Sequence, residues 1–223
     1  MGVSVLTTVV TPAANYDLTT LAVVKDDLTI TNGMSDAYLS RTISRVSAVI
    51  ARYCNRVFLP EFVLDEFYID RDAYPFQFVG GVRTLQTARW PVIPASLIAP
   101  LIPAPVVTEN GATLVDGADY RIAYASGLLT RLDGSGTPMN WGEIPTTVKY
   151  WGGYQPVPAD LEEACARFVR ARYTSRSRDP TLRSEDISGV YRADYQVAGS
   201  GSIMSLPPDI AAVVDIYRVP VIA

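Results

Sequence analysis

The chain has 223 residues, enough to bury a proper core as one large domain or two small ones. At 48% hydrophobic and 19% charged residues it reads as folded protein, and a net charge of −4 argues against the broad basic surface of a general DNA binder. Histidine is absent, which removes Ser-His and Cys-His nucleophile pairs, histidine metal sites and imidazole acid–base chemistry together.

The N-terminal part, residues 1–55, is expected to be helical after a loosely patterned start. Thr19 or Thr20 can cap a short helix through Leu28, which Asn32-Gly33 breaks, and Ser35 can cap the next. Leu39, Ile43, Val46, Ile50 and Tyr53 then recur at spacings of four and three, the single apolar stripe of a helix with one face in a core. Arg41, Arg45 and Arg52 lie off that stripe.

Residues 56–151 read as β. Phe62 to Ile69 is rich in strand formers, and Asn110-Gly111 between Val106–Glu109 and Ala112–Val115 is a strong hairpin signal. Tyr120, Ile122 and Tyr124 alternate before a turn at Ser126-Gly127, and Leu128 to Leu132 follows. Asp133-Gly134-Ser135-Gly136 makes another turn, and Thr146 to Trp151 is the last strand. Pro94, Pro100, Pro103 and Pro105 bar residues 91–105 from a central strand, so this stretch is expected at an edge or as an extended covering loop. The same prolines rule out a membrane span in the most apolar stretch, Val92 to Val107.

Residues 152–223 return to helix. Gly152-Gly153 ends the strand, Pro156 and Pro158 hold the approach extended, and Asp160, Glu162 and Glu163 sit where the positive end of a helix dipole favours carboxylates. Leu161, Ala164, Cys165, Phe168 and Val169 form the inward stripe. Residues 175–203 are polar, carry Gly and Ser, and show no helical period, so a flexible loop is expected. Ser205-Leu206-Pro207-Pro208-Asp209 then opens a short helix with Ile210, Val213, Val214 and Tyr217 as its apolar positions, stopped by Pro220. The expected class is α+β: a helical bundle formed by the N- and C-terminal segments, with an inserted antiparallel β-sandwich or barrel-like domain.

No catalytic, cofactor or metal site emerges. G-x-S-x-G, P-loop and dinucleotide fingerprints are absent. Cys54 and Cys165 have no metal-ligand spacing and lie on apolar helix faces, so two buried free thiols are expected. A basic-then-apolar leader is not evident at the N-terminus, which points to synthesis in a cytoplasm. Asp65, Glu66, Asp70 and Asp72 could hold a cation or act as paired carboxylates. Neighbouring strand residues point to opposite faces, however, and Asp65 and Glu66 cannot converge. Trp90, Trp141 and Trp151 could form a sugar-binding platform, or fill cores and interfaces. Arg167, Arg170, Arg172, Arg176, Arg178 and Arg183 lie within one helix and the loop after it. They could bridge subunits, face DNA, or complement the helix dipole on a solvated surface. Subunit pairing is the better of the first two, because the chain is acidic and DNA slides best past sparse phosphate contacts.

Several short motifs, in order, carry a family resemblance. Leu21-x-x-x-Lys25-x-x-Leu28 precedes a helix that ends Ile50-Ala51-x-Tyr53-Cys54-Asn55-Arg56-x-Phe58; Trp90-Pro91-Val92 and Asp119-Tyr120-Arg121-Ile122 follow. Then come Val148-x-Tyr150-x-Gly152-Gly153-Tyr154, Val157-Pro158-Ala159-Asp160-Leu161-Glu162-x-Ala164, Tyr173 with Arg176, and Leu206-Pro207-Pro208-Asp209-Ile210. Their order and spacing resemble the head–tail connector (adaptor) proteins of long-tailed double-stranded DNA phages and gene transfer agents. The resemblance implies a non-enzymatic virion protein at the neck that forms a ring, commonly of twelve copies. Such a ring lies between the portal protein and a tail-side neck or tail terminator protein, and encloses double-stranded DNA without reading its sequence. It also implies portal contacts for the C-terminal segment, here Tyr217, Arg218, Val219, Pro220, Val221 and Ile222. From the residues alone, a carbohydrate- or surface-binding β-sandwich module of an appendage remains open, as does a carboxylate-dependent hydrolase.

Overall fold

A computed structural model describes residues 4–68, 77–95, 103–142, 145–176, 184–187, 191–194 and 206–219. The chain forms two units, Met1–Asn15 with Val57–Pro156, and Tyr16–Arg56 with Val157–Ala223.

The first unit is β. Its strands are β1 (Ser4–Thr11), β2 (Glu61–Tyr68), β3 (Gln77–Val79), β4 (Val82–Gln86) and β5 (Val106–Glu109), then β6 (Ala112–Thr113), β7 (Tyr120–Ala123), β8 (Leu128–Leu132), β9 (Pro138–Met139) and β10 (Thr146–Gly152). One sheet runs β1-β2-β10-β5-β6; the other runs β3-β4-β8-β7, with β9 on β8. The pairings are antiparallel, and neither sheet closes into a barrel.

Strict alternation on β2 and β10 turns Val63, Phe67, Val148 and Tyr150 into a core that Leu85, Ile122 and Leu129 of the other sheet also enter. Each such side chain taken out of water contributes roughly 1.5–3 kcal/mol. The hairpin at Asn110-Gly111 forms with both residues at positive φ, 49° and 80°, the geometry that suits the twist of the flanking strands. Gly127 is required at its turn: φ is +71°, and a Cβ there would lie 2.1 Å from Thr87 Oγ1.

Two parts of this unit differ from expectation. The loosely patterned start is strand β1, whose alternation of Val, Leu and Thr has no polar period to mark it. The proline-spaced stretch is more than a cover at its start. Val92 N donates to Tyr124 O (2.7 Å) and Ile93 N to Trp151 O (2.8 Å), and both side chains are buried.

The second unit is helical, with α1 (Leu21–Asp27), α2 (Asp36–Cys54), α3 (Ala159–Thr174) and α4 (Pro208–Val214). Helix α3 packs against each of the other three. Thr20 caps α1, accepting from Val23 N at 3.3 Å. Ser35 occupies the N-cap of α2 but makes no side-chain cap bond; its Oγ lies 3.0 Å from the Tyr173 hydroxyl instead. That tertiary partner replaces the local one, correcting the expected cap. The buried face of α2 holds Leu39, Ile43, Val46 and Ile50 as the stripe predicts. Cys54 takes the last inward place rather than Tyr53, which is half-buried. Asn55 ends α2 in the left-handed region, and Arg56 N reaches back to Ala51 O (3.1 Å), satisfying the carbonyls a helix end leaves open.

All five residues of the α3 stripe are buried. Both cysteines are free and buried; burial pushes each thiol up to about 11. Cys165 Sγ lies 3.6 Å from Ser47 Oγ, and Cys54 Sγ donates to Val214 O at 3.5 Å. Within the segment expected to be a loop, Ser184–Ile187 (β11) and Tyr191–Asp194 (β12) pair as an antiparallel hairpin. Among the described residues, no helix is long and apolar enough to cross a membrane.

Candidate assembly surfaces

The arginine series rises from α3, whose first turn carries Asp160 and Glu162 and whose last carries Arg172. Helical spacing sends its members in different directions. Arg167 and Arg170 are exposed, and Arg167 pairs with Glu163 one turn earlier. Both of those side chains are more than half exposed, so the pair contributes at most a few tenths of a kcal/mol, about 0.3–0.5.

Arg172 stacks over the Phe168 ring at 4.7 Å. Arg176 lies 4.2 Å from the centre of the Tyr173 ring and 5.5 Å from that of Tyr38, beside the Ser35–Tyr173 contact. These two guanidinium groups serve the fold of the helical unit through cation–π contact. Arg178 and Arg183 lie outside the described residues. Arg170 is therefore the exposed cation of α3 that takes no partner within the described chain.

The C-terminal segment is fastened down as far as it is described. Asp160 accepts from Leu161 N at the start of α3 and from the Tyr217 hydroxyl at 2.7 Å. Tyr53 donates to Asp215 Oδ1 at 2.6 Å, a bond to a carboxylate that pushes the Tyr53 hydroxyl above its usual range. Arg218 stacks on the Tyr53 ring at 5.2 Å, and Val219 N donates to Cys54 O at 2.9 Å. Tyr217, Arg218 and Val219 thus hold the end of α2 and the start of α3. Pro220, Val221 and Ile222 lie outside the described residues.

The acidic cluster does not assemble a cation site. Asp65 is fully buried and accepts three hydrogen bonds, from Thr7 Oγ1 (2.7 Å), Ala88 N (2.8 Å) and the Tyr150 hydroxyl (2.6 Å). Burial and the adjacent carboxylate push the Tyr150 hydroxyl far above its ordinary value. Glu66 faces the other way and is half-buried; Asp70 and Asp72 lie outside the described residues. No group of three or more His, Cys, Asp or Glu able to hold a metal occurs among the described residues. Trp141 is a core residue whose Nε1 donates to Leu129 O at 3.1 Å, so the three tryptophans do not make an exposed platform.

No protein-family model matches the chain, and no curated protein does. Solved structures do. A chain in the neck of an empty gene transfer agent particle, computed with C6 symmetry, aligns over 98% of this chain and 97% of its own, with a TM-score of 0.51 at 14% identity. Chains in a native gene transfer agent virion and in a native neck computed with C12 symmetry align over the same shares at 15% identity, with TM-scores of 0.45 and 0.42. At such identities the first likeness establishes fold, from end to end. The chain shares its fold with a neck chain of a gene transfer agent particle, the kind of particle whose head–tail connectors its sequence motifs resemble.

Proposed function

We propose that this chain is a structural protein of a virion or gene transfer agent particle, acting as a head–tail adaptor. Copies form a ring between the portal and the tail-side neck or tail terminator protein, around the channel through which double-stranded DNA passes. One observation carries the reading: a fold likeness to a neck chain that spans both units, 98% of this chain against 97% of the other. A generic β module or helical bundle would align over one unit only. The chain acts without catalysis, as scaffold, and twelve copies is the number that the family resemblance suggests.

Within that ring, Arg170 is the α3 cation best placed to reach an acidic group on a neighbouring copy, since Arg172 and Arg176 are engaged by aromatic rings and Arg167 by Glu163. Residues 220–222, beyond the fastened Val219, are the portal-facing part of the tail.

The test is particle location and stoichiometry. Antibody or mass-spectrometric counting on purified particles should find the chain in the neck fraction as a fixed ring number per particle. Absence from particles, or a copy number in the hundreds, sinks the reading. Arg170→Glu should leave the monomer folded and weaken ring formation, because an unpaired charge at a desolvated contact costs roughly 2–5 kcal/mol. If Arg170 faces DNA instead, rings form normally and the loss shows as salt-dependent DNA retention.

A further inference from the structure

We infer that the free edge of β1 is where a neighbouring copy of this chain docks, extending the first sheet beyond its own subunit; this rests on the ring reading above.

Strand β1 is a terminal strand of its sheet, and among the described residues it pairs only with β2. Its eight residues, SVLTTVVT, contain no charge, proline or glycine. Those are the features by which soluble proteins ordinarily blunt a sheet edge. The other sheet ends are managed: β6 is two residues long, β3 is three, and β7 carries the exposed Arg121. A register shift between Val9 and Thr11 leaves Ser4 to Val9 as the regular stretch.

The core also runs out at this strand. Val5 and Val9 stand opposite Phe67 and Val63, which are 1% and 0% exposed, yet they are themselves 37% and 41% exposed. On the other face Leu6 and Val10 are 53% and 51% exposed. An apolar strand left open on one edge and both faces is an interface waiting for cover.

Charge decides the occupant. Each copy carries a net charge of −4, so copies repel except where they meet across an uncharged surface, and β1 supplies one. A closed ring needs a head-to-tail contact, so β1 meets a different element of the next copy rather than its own counterpart.

The experiment follows the oligomer size of the purified full chain over a concentration series by sedimentation, with Leu6→Lys and Val10→Lys combined. Tryptophan fluorescence checks the β unit, which holds all three tryptophans. The expected result is at least about a 100-fold weaker association with an unchanged spectrum, because a buried lysine must be paired or desolvated. Rings that survive both lysines at the same midpoint overturn this inference and leave the ring reading standing. A wild-type chain monomeric at every concentration overturns both. A species that stops at two copies shows β1 pairing with itself and overturns the head-to-tail placement. If the double variant misfolds, amide exchange of the wild type decides. Ser4 to Thr11 should exchange at least about tenfold more slowly in the assembled form, and unchanged exchange overturns the inference.

Discussion

Asp65 in the β unit and Ser47 in the helical unit are both fully enclosed polar side chains, yet they hold their surroundings in different ways. Asp65 is an ionisable group that gathers Thr7, Ala88 and Tyr150, which lie on β1, in the turn after β4 and on β10. Ser47 is neutral and sits on a helix whose register is already set by its apolar stripe; it accepts from Leu18 N at 3.0 Å and touches the Cys165 thiol. Removing the first strands several donors from distant strands in a dry site. Removing the second leaves the stripe intact. The β unit therefore concentrates its specificity in a polar node, and the helical unit spreads it along periodic apolar contacts.

The sharpest way to break the contrast is Asp65→Ala. It leaves the Ala88 amide and the Tyr150 hydroxyl buried without their acceptor, and should cost about 3–5 kcal/mol. Because Trp90, Trp141 and Trp151 all lie in the β unit, its loss reads as a tryptophan fluorescence shift in urea. Retention of the wild-type midpoint would mean the node contributes nothing.

Leu161→Ala, at a fully buried position of α3, should cost about 2–4 kcal/mol through lost burial and the remaining cavity. Its signature is the opposite: loss of helical circular dichroism at lower urea. Loss of tryptophan signal first would show that the units are not separable in this way.

Alkaline pH should distinguish the units more gently. Burial raises Cys54 and Cys165 in the helical unit to about 11, and Tyr120 in the β unit to about 12. Groups whose folded pKa is raised hold their protons more tightly when folded. Their contribution is complete below the unfolded value and declines as pH climbs to the folded one. The helical unit should thus weaken between pH 9 and 11, by about 2 kcal/mol for Cys165 alone. The β unit should weaken later, from pH 10 to 12. Simultaneous loss, or stability gained with base, would contradict the assignment. Thiol labelling of the native chain at neutral pH should be slow for the same reason, reaching two equivalents only after denaturation without reductant.

The smallest effect compares two caps within the helical unit. Thr20→Ala removes a true cap bond and should cost about 1 kcal/mol. Ser35→Ala removes only the contact with Tyr173, so its cost should follow Tyr173→Phe, and a double-mutant cycle should couple the two by about 0.5–1 kcal/mol.

Period and punctuation in the sequence set most local structure. The stripes of α2 and α3, the Asn110-Gly111 hairpin, the Asp133 turn and the strands around Phe67 and Val148 follow from side-chain spacing, residue shape and permitted φ. Such choices are made within a few residues. Tertiary structure decided what depends on residues far apart in the chain. It made a strand of Ser4 to Thr11, which has no polar period and is defined by pairing with β2. It turned Ser35 from a cap into a partner of Tyr173, and divided the arginines between aromatic rings and the exposed face that leaves Arg170 free. It also buried Asp65 while its sequence neighbour Glu66 faces away, because a strand gives adjacent residues opposite environments and only the far side of the sheet says which is dry.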